Sequence, residues 1–310
     1  MREFRFSTNV RTIASRSTFL ERCRRVEEQG YQLLFAADHL GIPAPFSTVV
    51  TAAAATERLR VGTLVLNSEF WNPALLAREI ATADLLTDGR LEVGLGSGHM
   101  KWEFDQAGIA WRPFAERARR LGAMIEELNR HFTTRLDGLP SGASALRPVQ
   151  RLGFAGSGPP LLIGGTGDRV LELAAAHATT VGVAGMFQRP DEPPGTFRLA
   201  TATEAEERVR FVRERAGSRA GDLEWQLLVQ AVVVTDDREA AARQLLDQFG
   251  PSLQMSPDEV LETPFLLIGT AREMADQLRA ERDRYGFSVI TVHEPDQEVF
   301  APVIERLRSG

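Results

Sequence analysis

A (β/α)8 barrel of the TIM type is the fold class this sequence predicts, and three observations carry it. Short apolar runs alternate with amphipathic helical patterns from one end of the chain to the other, the signature of a parallel sheet wrapped by helices. Eight such strand–helix pairs fit in the 310 residues, whereas an open doubly wound sheet usually has fewer strands and no use for an eighth pair. No repeat period and no low-complexity tract is visible, which removes solenoids. The chain reads as one barrel domain over residues 1–310, with insertion loops near 135–160 and 186–203 expected at the C-terminal face as pocket wall or lid.

The first strand, Phe4 to Val10, leads to a helix with Ser17 as N-cap and Gly30 as its stop. The second, Leu33 to Asp38, precedes a helix over Pro45 to Arg58. Arg60 to Asn67 form the third strand, and in NPALLAREIATADLLTDG Asn72 caps a helix that Pro73 opens and Gly89 closes. Leu91 to Gly98 read as the fourth strand, followed by a loop carrying Trp102 and Trp111 and a helix over Phe114 to Phe132. After the first insertion come the fifth strand, Leu161 to Gly165, its helix Asp168 to Ala178, and the sixth strand, Thr180 to Gly185. The second insertion, MFQRPDEPPGTFRLATAT, leads to a helix over Glu204 to Ala216. The seventh strand lies within LEWQLLVQAVVV. Two helical patterns follow it, Glu239 to Phe249 and Arg272 to Tyr285, with SPDEVLETPFLLIGT between them. Ser288 to Glu294 form the eighth strand and Gln297 to Leu307 the closing helix.

Composition narrows the function. A formal charge of -6 and the lack of a Lys/Arg-rich run argue against nucleic acid or an anionic membrane as partner, leaving a small molecule. MREFRFSTNV reads as too polar for a signal peptide and no apolar run approaches a membrane span, so a cytosolic protein is expected. Cys23, the only cysteine, shares a helical face with Phe19 and Val26 and reads as packing. Five histidines without H-E-x-x-H spacing, and no G-x-S-x-G elbow, leave metal-dependent and Ser-nucleophile hydrolysis unsupported.

In such a barrel the active site lies where strands end, so the strand assignment becomes a list of candidates: Asn9, Asp38, His39, Asn67, Ser97, Gly98, His99, Gly164, Gly165, Gly167, Gly185, His293 and Glu294. Gly164-Gly165-Thr166-Gly167-Asp168-Arg169 runs into a helix, so free amides, the helix dipole and a guanidinium converge where a phosphate fits. A tight turn with Asp168 as N-cap is the plainer alternative. Asp38-His39 sets a carboxylate beside an imidazole that titrates near neutral pH. In GLGSGH, residues 94–99, the glycines suit close approach to a flat ligand or a sharp strand exit. Phe70, Trp71, Trp102, Trp111 and Phe187 suggest an aromatic substrate pocket, with Asn9 and Glu294 at its polar edge. His131 and His177 fall on outer helices and read as structural.

LLFAADHL, RVGTLVLNSEFWNPALLAREIATADLLTDGRLEVGLGSG, PPLLIGGTGDRVLELAAAHA and PFLLIGTAREMADQLRAERDRYGFSVITV resemble, in order and spacing, the luciferase-like monooxygenase superfamily, and most of all its coenzyme F420-dependent oxidoreductase branch. The resemblance implies a flavin or deazaflavin bound at the strand C-termini, with a non-prolyl cis peptide at Leu64-Val65 forming a bulge behind the ring. It places Asp38 and His39 near the ring's polar edge and reacting face, Asn67 on the ring or ribityl chain, and Gly96, Ser97 and Gly98 along the cofactor. Gly164, Gly165, Thr166, Gly167 and Arg169 fall at its phosphate. Sugar-phosphate dehydrogenases of the superfamily carry Glu directly after the G-x-G-x-G loop, where this chain has His99, which argues against glucose-6-phosphate oxidation. The expectation is an oxidoreductase in which reduced F420 delivers a hydride to an activated C=C, C=N or C=O of a small organic substrate. His39, His99 and Asp38 form the catalytic set, and a histidine supplies the proton. The alternatives are a monooxygenase using FMNH2 and oxygen, and a cofactor-binding barrel without catalysis. A homo-oligomer, dimer or tetramer, is expected from the family.

Overall fold

A computed structural model describes residues 2–134 and 146–309, and eight parallel strands close into a barrel. They are β1 (Arg5–Val10), β2 (Leu33–Ala36), β3 (Arg60–Thr63), β4 (Leu91–Gly96), β5 (Leu161–Gly164), β6 (Thr180–Val183), β7 (Glu224–Leu228) and β8 (Phe287–Val292). Each pairs with its sequence neighbours, and β1 meets β8 with Ser7 opposite Thr291 to close the ring. The helices that cover it are α1 (Arg16–Glu28), α2 (Pro45–Ala54), α3 (Pro73–Leu86), α4 (Phe114–Thr133), α5 (Asp168–His177), α6 (Ala202–Ala216), α7 (Ala271–Tyr285) and α8 (Gln297–Arg308). Among the described residues no helix is long and apolar enough to cross a membrane.

Five details depart from the sequence expectations. Ser15, not Ser17, caps α1, because its hydroxyl lies 3.2 Å from the Thr18 amide it accepts from. The cis peptide that the resemblance implies at Leu64-Val65 is present, by contrast, and the third strand resumes after it as Leu66–Asn67 beside β4. A short helix, Lys101–Ala107, occupies the segment expected to be a loop, and the second insertion folds into an antiparallel hairpin, Met186–Gln188 with Phe197–Leu199. The apolar run after β7 leaves the barrel: Ala231–Val234 pairs in parallel with Leu266–Gly269, two strands outside the ring. Finally, the described part of the first insertion lies at the opposite face from the one expected. Gln150 accepts from Arg60 at the start of β3 and donates to the carbonyl of Leu91 at the start of β4, and Asp84 near the end of α3 accepts from the amides of Val149 and Gln150. A helix-to-strand connection must return to the strand N-termini. Residues 135–145 lie outside the described residues.

The interior is filled in tiers by the alternate residues that face inward. The lowest tier is ionic: Arg5 pairs with Glu92 and, at 2.8 Å, with Glu224, while Arg60 reaches Glu92 at 2.5 Å and Thr180 donates to Glu224. Burial works against the charge on Glu92, but Arg5 and Arg60 more than offset it and hold the carboxyl below its usual range. Above it Ser7, Thr291 and Gln226 share hydrogen bonds of 2.6 and 2.7 Å. The upper tier is apolar, Leu33, Phe35 and Leu162 packed with Leu64 and Val65. Val65 projects into the ring because glycines face it. A Cβ on Gly94, Gly96 or Gly164 would come within 3.0, 2.7 and 3.3 Å of its methyls.

This packing predicts that Gly96→Ala lowers stability by about 1–3 kcal/mol, and that in a Val65→Ala background the same change costs under about 1 kcal/mol; a denaturation double-mutant cycle measures the coupling. A second prediction concerns Glu281 of α7, buried with one oxygen accepting from Gln277 at 2.7 Å and the other without a partner among the described residues. Burial raises its pKa well above 4.5, so the native state keeps the proton that the unfolded chain releases. Stability therefore falls as pH rises from about 4.5 towards the raised value. Glu281→Gln should gain about 1–3 kcal/mol near pH 8 and little near pH 4, read by urea unfolding at both.

Candidate active site

Polar side chains gather at the C-terminal ends of β2, β3 and β4. Asp38, just past β2, is tied down by two donors: its Oδ2 accepts from the backbone amide of Asn67 at 3.1 Å and from the Trp71 indole at 2.8 Å. Burial raises its pKa, against the pull of those two hydrogen bonds and of His39, and with Glu103 adding to the rise. These contacts strap the end of β2 to the resumed third strand.

His39 faces a buried carboxylate. Its Nδ1 lies 2.8 Å from Oε1 of Glu103, which also accepts from the amide of Leu40 at 3.2 Å. Because a carboxylate accepts, Nδ1 carries the hydrogen, and Nε2 is the ring nitrogen turned away from Glu103. Glu103 comes from the short helix Lys101–Ala107 and is 2% exposed. The ring of His99 stands perpendicular to that of His39 at 5.3 Å and meets Phe197 of the hairpin at 5.5 Å. Burial, with His39 and Arg117 adding like charge, pushes the His99 pKa down to about 4. The residue keeps open surface on its rim side, which tempers the shift but not its direction, so the imidazole is neutral at pH 7. Arg117 is itself buried, its guanidinium 3.8 Å from the centre of the Trp111 ring and donating to the carbonyls of Ser97 and Arg112.

The glycine loop after β5 is both a turn and an open helix end. A Cβ on Gly165 would meet buried Val170 at 2.7 Å, so packing demands glycine there, whereas one on Gly167 would meet at 2.5 Å the ring tip of Phe114, an exposed side chain that can move aside. Gly167 is the N-cap of α5 and supplies no side-chain acceptor. Asp168 does not cap the helix: its Oδ1 accepts from Arg208 at 2.6 Å. Thr166 leans on the Met186 carbonyl, and Arg169 is exposed in the first turn. The amides at this end thus keep their capacity for an anion.

The remaining candidates separate. Asn67 Oδ1 accepts from the Glu69 amide, while Nδ2 is buried with no partner among the described residues; Gly98, at φ +71°, has no room for a Cβ beside it. Gly96 and Gly164 admit Val65, and the Ser97 carbonyl holds Arg117. Asn9 and His293 meet at 3.0 Å on the other arc of the ring. Glu294 is not part of the histidine group: it closes the turn after β1 by accepting from the Arg11 and Thr12 amides and pairing with Arg22 at 2.6 Å. Nor do the aromatic residues converge. Phe70 and Trp111 pack on buried Phe104 at 5.6 and 4.8 Å, Trp102 faces solvent, and Phe187 lies under Arg198. The sequence reasoning missed Glu103, Arg117 and Phe197; an acid flanked by aromatics in MKWEFDQAG was the one signal for Glu103.

This arrangement fits a flat, phosphate-bearing cofactor of the flavin or deazaflavin kind. Asn67 offers a buried donor without a partner, and α5 offers amides without a side-chain cap. The chain also matches the family model described as luciferase-like monooxygenase over residues 3–288. It is 29% identical over 149 residues to a 5,10-methylenetetrahydromethanopterin reductase of Archaeoglobus fulgidus, covering 48% of this chain and 43% of that one. It is 35% identical over 119 residues to an F420-dependent glucose-6-phosphate dehydrogenase of Amycolatopsis mediterranei, 36% of each. The match thus spans under half the length of either relative. Among solved structures, an F420-dependent secondary alcohol dehydrogenase in complex with an F420-acetone adduct superimposes with a TM-score of 0.72 at 15% identity, over 99% of this chain and 98% of that one, a likeness of fold.

The strap makes a prediction of its own. Asp38→Ala leaves the Asn67 amide and the Trp71 indole without an acceptor, so it should cost about 2–4 kcal/mol in chemical unfolding and alter Trp71 fluorescence. Asp38→Asn, which keeps one acceptor oxygen, should cost less than half of that.

Proposed function

The chain belongs to the luciferase-like monooxygenase family, and on that premise we propose that it is an F420H2-dependent reductase of a small organic substrate. The observation that carries the reading is the His39–Glu103 pair beside a neutral His99 at the barrel mouth, a place to hold and move one proton. When bound, the reduced deazaflavin supplies a hydride to an activated C=C, C=N or C=O bond.

The protein's own residues do the rest. Leu64 and Val65 would back a bound ring, and Asn67, Gly96, Ser97 and Gly98 would line its polar edge. Gly164 to Gly167 and Arg169 would hold its phosphate at the α5 N-terminus. His39 Nε2 holds the proton that the electron pair of the substrate's reduced bond takes up. Glu103 fixes the ring of His39 and balances its charge while the proton is held. His99, neutral beside it, does not compete for that proton. The hairpin carrying Phe197 meets His99 edge-on at the mouth. A monooxygenase using FMNH2 and oxygen is the second reading, favoured by the family's own description.

Titration of the protein with F420 and with FMN, followed by anaerobic oxidation of F420H2 with candidate acceptors, separates the two. The expected result is tight F420 and weak FMN binding, with His39→Ala slowing F420H2 oxidation about 100-fold and Glu103→Gln about 10-fold while F420 affinity stays within about 3-fold. Tight FMN binding with no consumption of F420H2 overturns the proposal.

A further inference from the structure

The ends of β6, β7, β8 and β1 carry a second polar group, across the ring from His39, His99 and Glu103. Along β8, Val289 and Thr291 pair with inward residues of β1, and the same alternation turns His293 into the mouth above Thr291. Its neighbours fix its hydrogens without ambiguity. The Glu294 amide donates to Asn9 Oδ1 at 3.1 Å, so the Asn9 amide group points its Nδ2 at His293 Nδ1, 3.0 Å away. Gln230 Nε2 donates to the Ala184 carbonyl at 2.8 Å, so its Oε1 is the atom facing His293 Nε2. Nδ1 therefore accepts and Nε2 carries the hydrogen. That N–H reaches Gln230 only at 3.5 Å, the outer limit of a hydrogen bond, and is held too weakly to resist a better acceptor.

We propose that His293 Nε2–H is a substrate-binding donor for an uncharged carbonyl oxygen, which makes neutral ketones, enones or amides, rather than carboxylates, the substrates of this recess. The inference rests on the reading of the strand ends as the active site and names the substrate class there.

Charge supports the same choice. Burial, with Arg11 adding to it, pushes the His293 pKa down to about 4, so the ring offers a neutral donor rather than a cation. The adjacent Glu294 is engaged by Arg11, Thr12 and Arg22 and gives the ring no counter-charge. On the facing arc the Glu103 carboxylate repels an anion, and the Arg117 guanidinium is already donating to the Ser97 and Arg112 carbonyls under Trp111. A carboxylate entering this recess loses more water than a carbonyl does and faces Glu103 across the ring, with the exposed, solvated Arg11 as the cation that acts on His293; a carbonyl loses less and gains the N–H. A neutral imidazole that polarises a carbonyl is an established catalytic device.

The test uses the full chain, with and without F420. Nitrogen-15 spectra of the imidazoles at neutral pH should give His293 as the Nε2–H tautomer; the Nδ1–H tautomer or an imidazolium overturns the proposal. Fluoroacetophenone and fluorobenzoate, a neutral carbonyl and a carboxylate of similar size, are then titrated and followed by fluorine NMR. Wild type should bind the ketone at least about tenfold more tightly than the acid. His293→Phe should weaken the ketone about tenfold and leave the acid unchanged, and His293→Gln, which keeps an N–H donor, should recover most of the loss. Equal weakening of both probes, no response of the ketone, or no ketone binding to wild type counts against the proposal. If His293→Phe does not fold, the wild-type tautomer and the Gln variant decide. Failure of wild type to bind F420 overturns the oxidoreductase reading alone, since the tautomer and the ketone preference are read without it.

Discussion

Closing eight parallel strands encloses a space that must be filled without stranding polar atoms, and the manner of filling fixes everything above it. Here the lowest tier takes charge, with Arg5 and Arg60 neutralising Glu92 and Glu224 inside the ring. A middle tier of Ser7, Thr291 and Gln226 satisfies its own hydroxyl and amide groups. Above these, glycines on β4 and β5 leave a slot that Val65 enters from the interrupted third strand. The barrel is therefore plugged to just below its mouth, and the plug's upper surface, Leu64 and Val65, is the floor of the recess. These two side chains are half-buried and packed on Leu33, Phe35 and Leu162, so they present an apolar surface of the kind that orientation of a flat ring requires.

The side chains around that floor divide by what holds them. Asp38 accepts from the Asn67 amide and the Trp71 indole, so its visible work is to lock two strand ends together, and the His39 that follows it inherits a fixed position. The carboxylate that addresses His39 comes from elsewhere, from Glu103 on a short helix between β4 and α4. Supporting His39 from one side with Asp38 and from the other with Glu103 separates position from charge.

Much of this was legible in the residues. The eight-fold alternation gave the ring, and the strand ends located Asp38, His39, Asn67, His99 and the glycine loop, because a barrel's loops at that end are where side chains converge. What was hidden had a physical reason in each case. A continuous apolar run such as WQLLVQAVVV carries no mark of the point where the chain leaves the ring, since a strand buried on both faces has no period to read. Seven residues of helix, Lys101–Ala107, are too few to show a face, so nothing in the pattern marks Glu103 as the residue turned inward, and its neighbour Trp102 points outward. Glu294 could be placed at a strand end but not aimed, and its partners Arg11, Thr12 and Arg22 turn it away from the histidines. Glycine marked close approach correctly, but the approaching group at Gly94 and Gly96 is Val65 of the same chain.

Three histidines at one barrel mouth show how neighbours, rather than residue type, set a role. Among the described residues only His39 has a carboxylate within hydrogen-bond reach, so only there does a transferred positive charge meet a counter-ion in place. His99 faces His39 and Arg117 and is pressed toward neutrality by both burial and like charge. His293 is held by the amides of Asn9 and Gln230, which cannot compensate a charge but do fix which nitrogen bears the hydrogen. A reduction that adds a hydride and a proton needs one group that can cycle its charge and others that stay fixed around it, for otherwise the proton would be shared among competing bases. The ring supplies that asymmetry by arc: a carboxylate meets His39 on the β2–β4 side, whereas the groups that hydrogen-bond His293 on the side from β7 through β8 to β1 are the uncharged amides of Asn9 and Gln230.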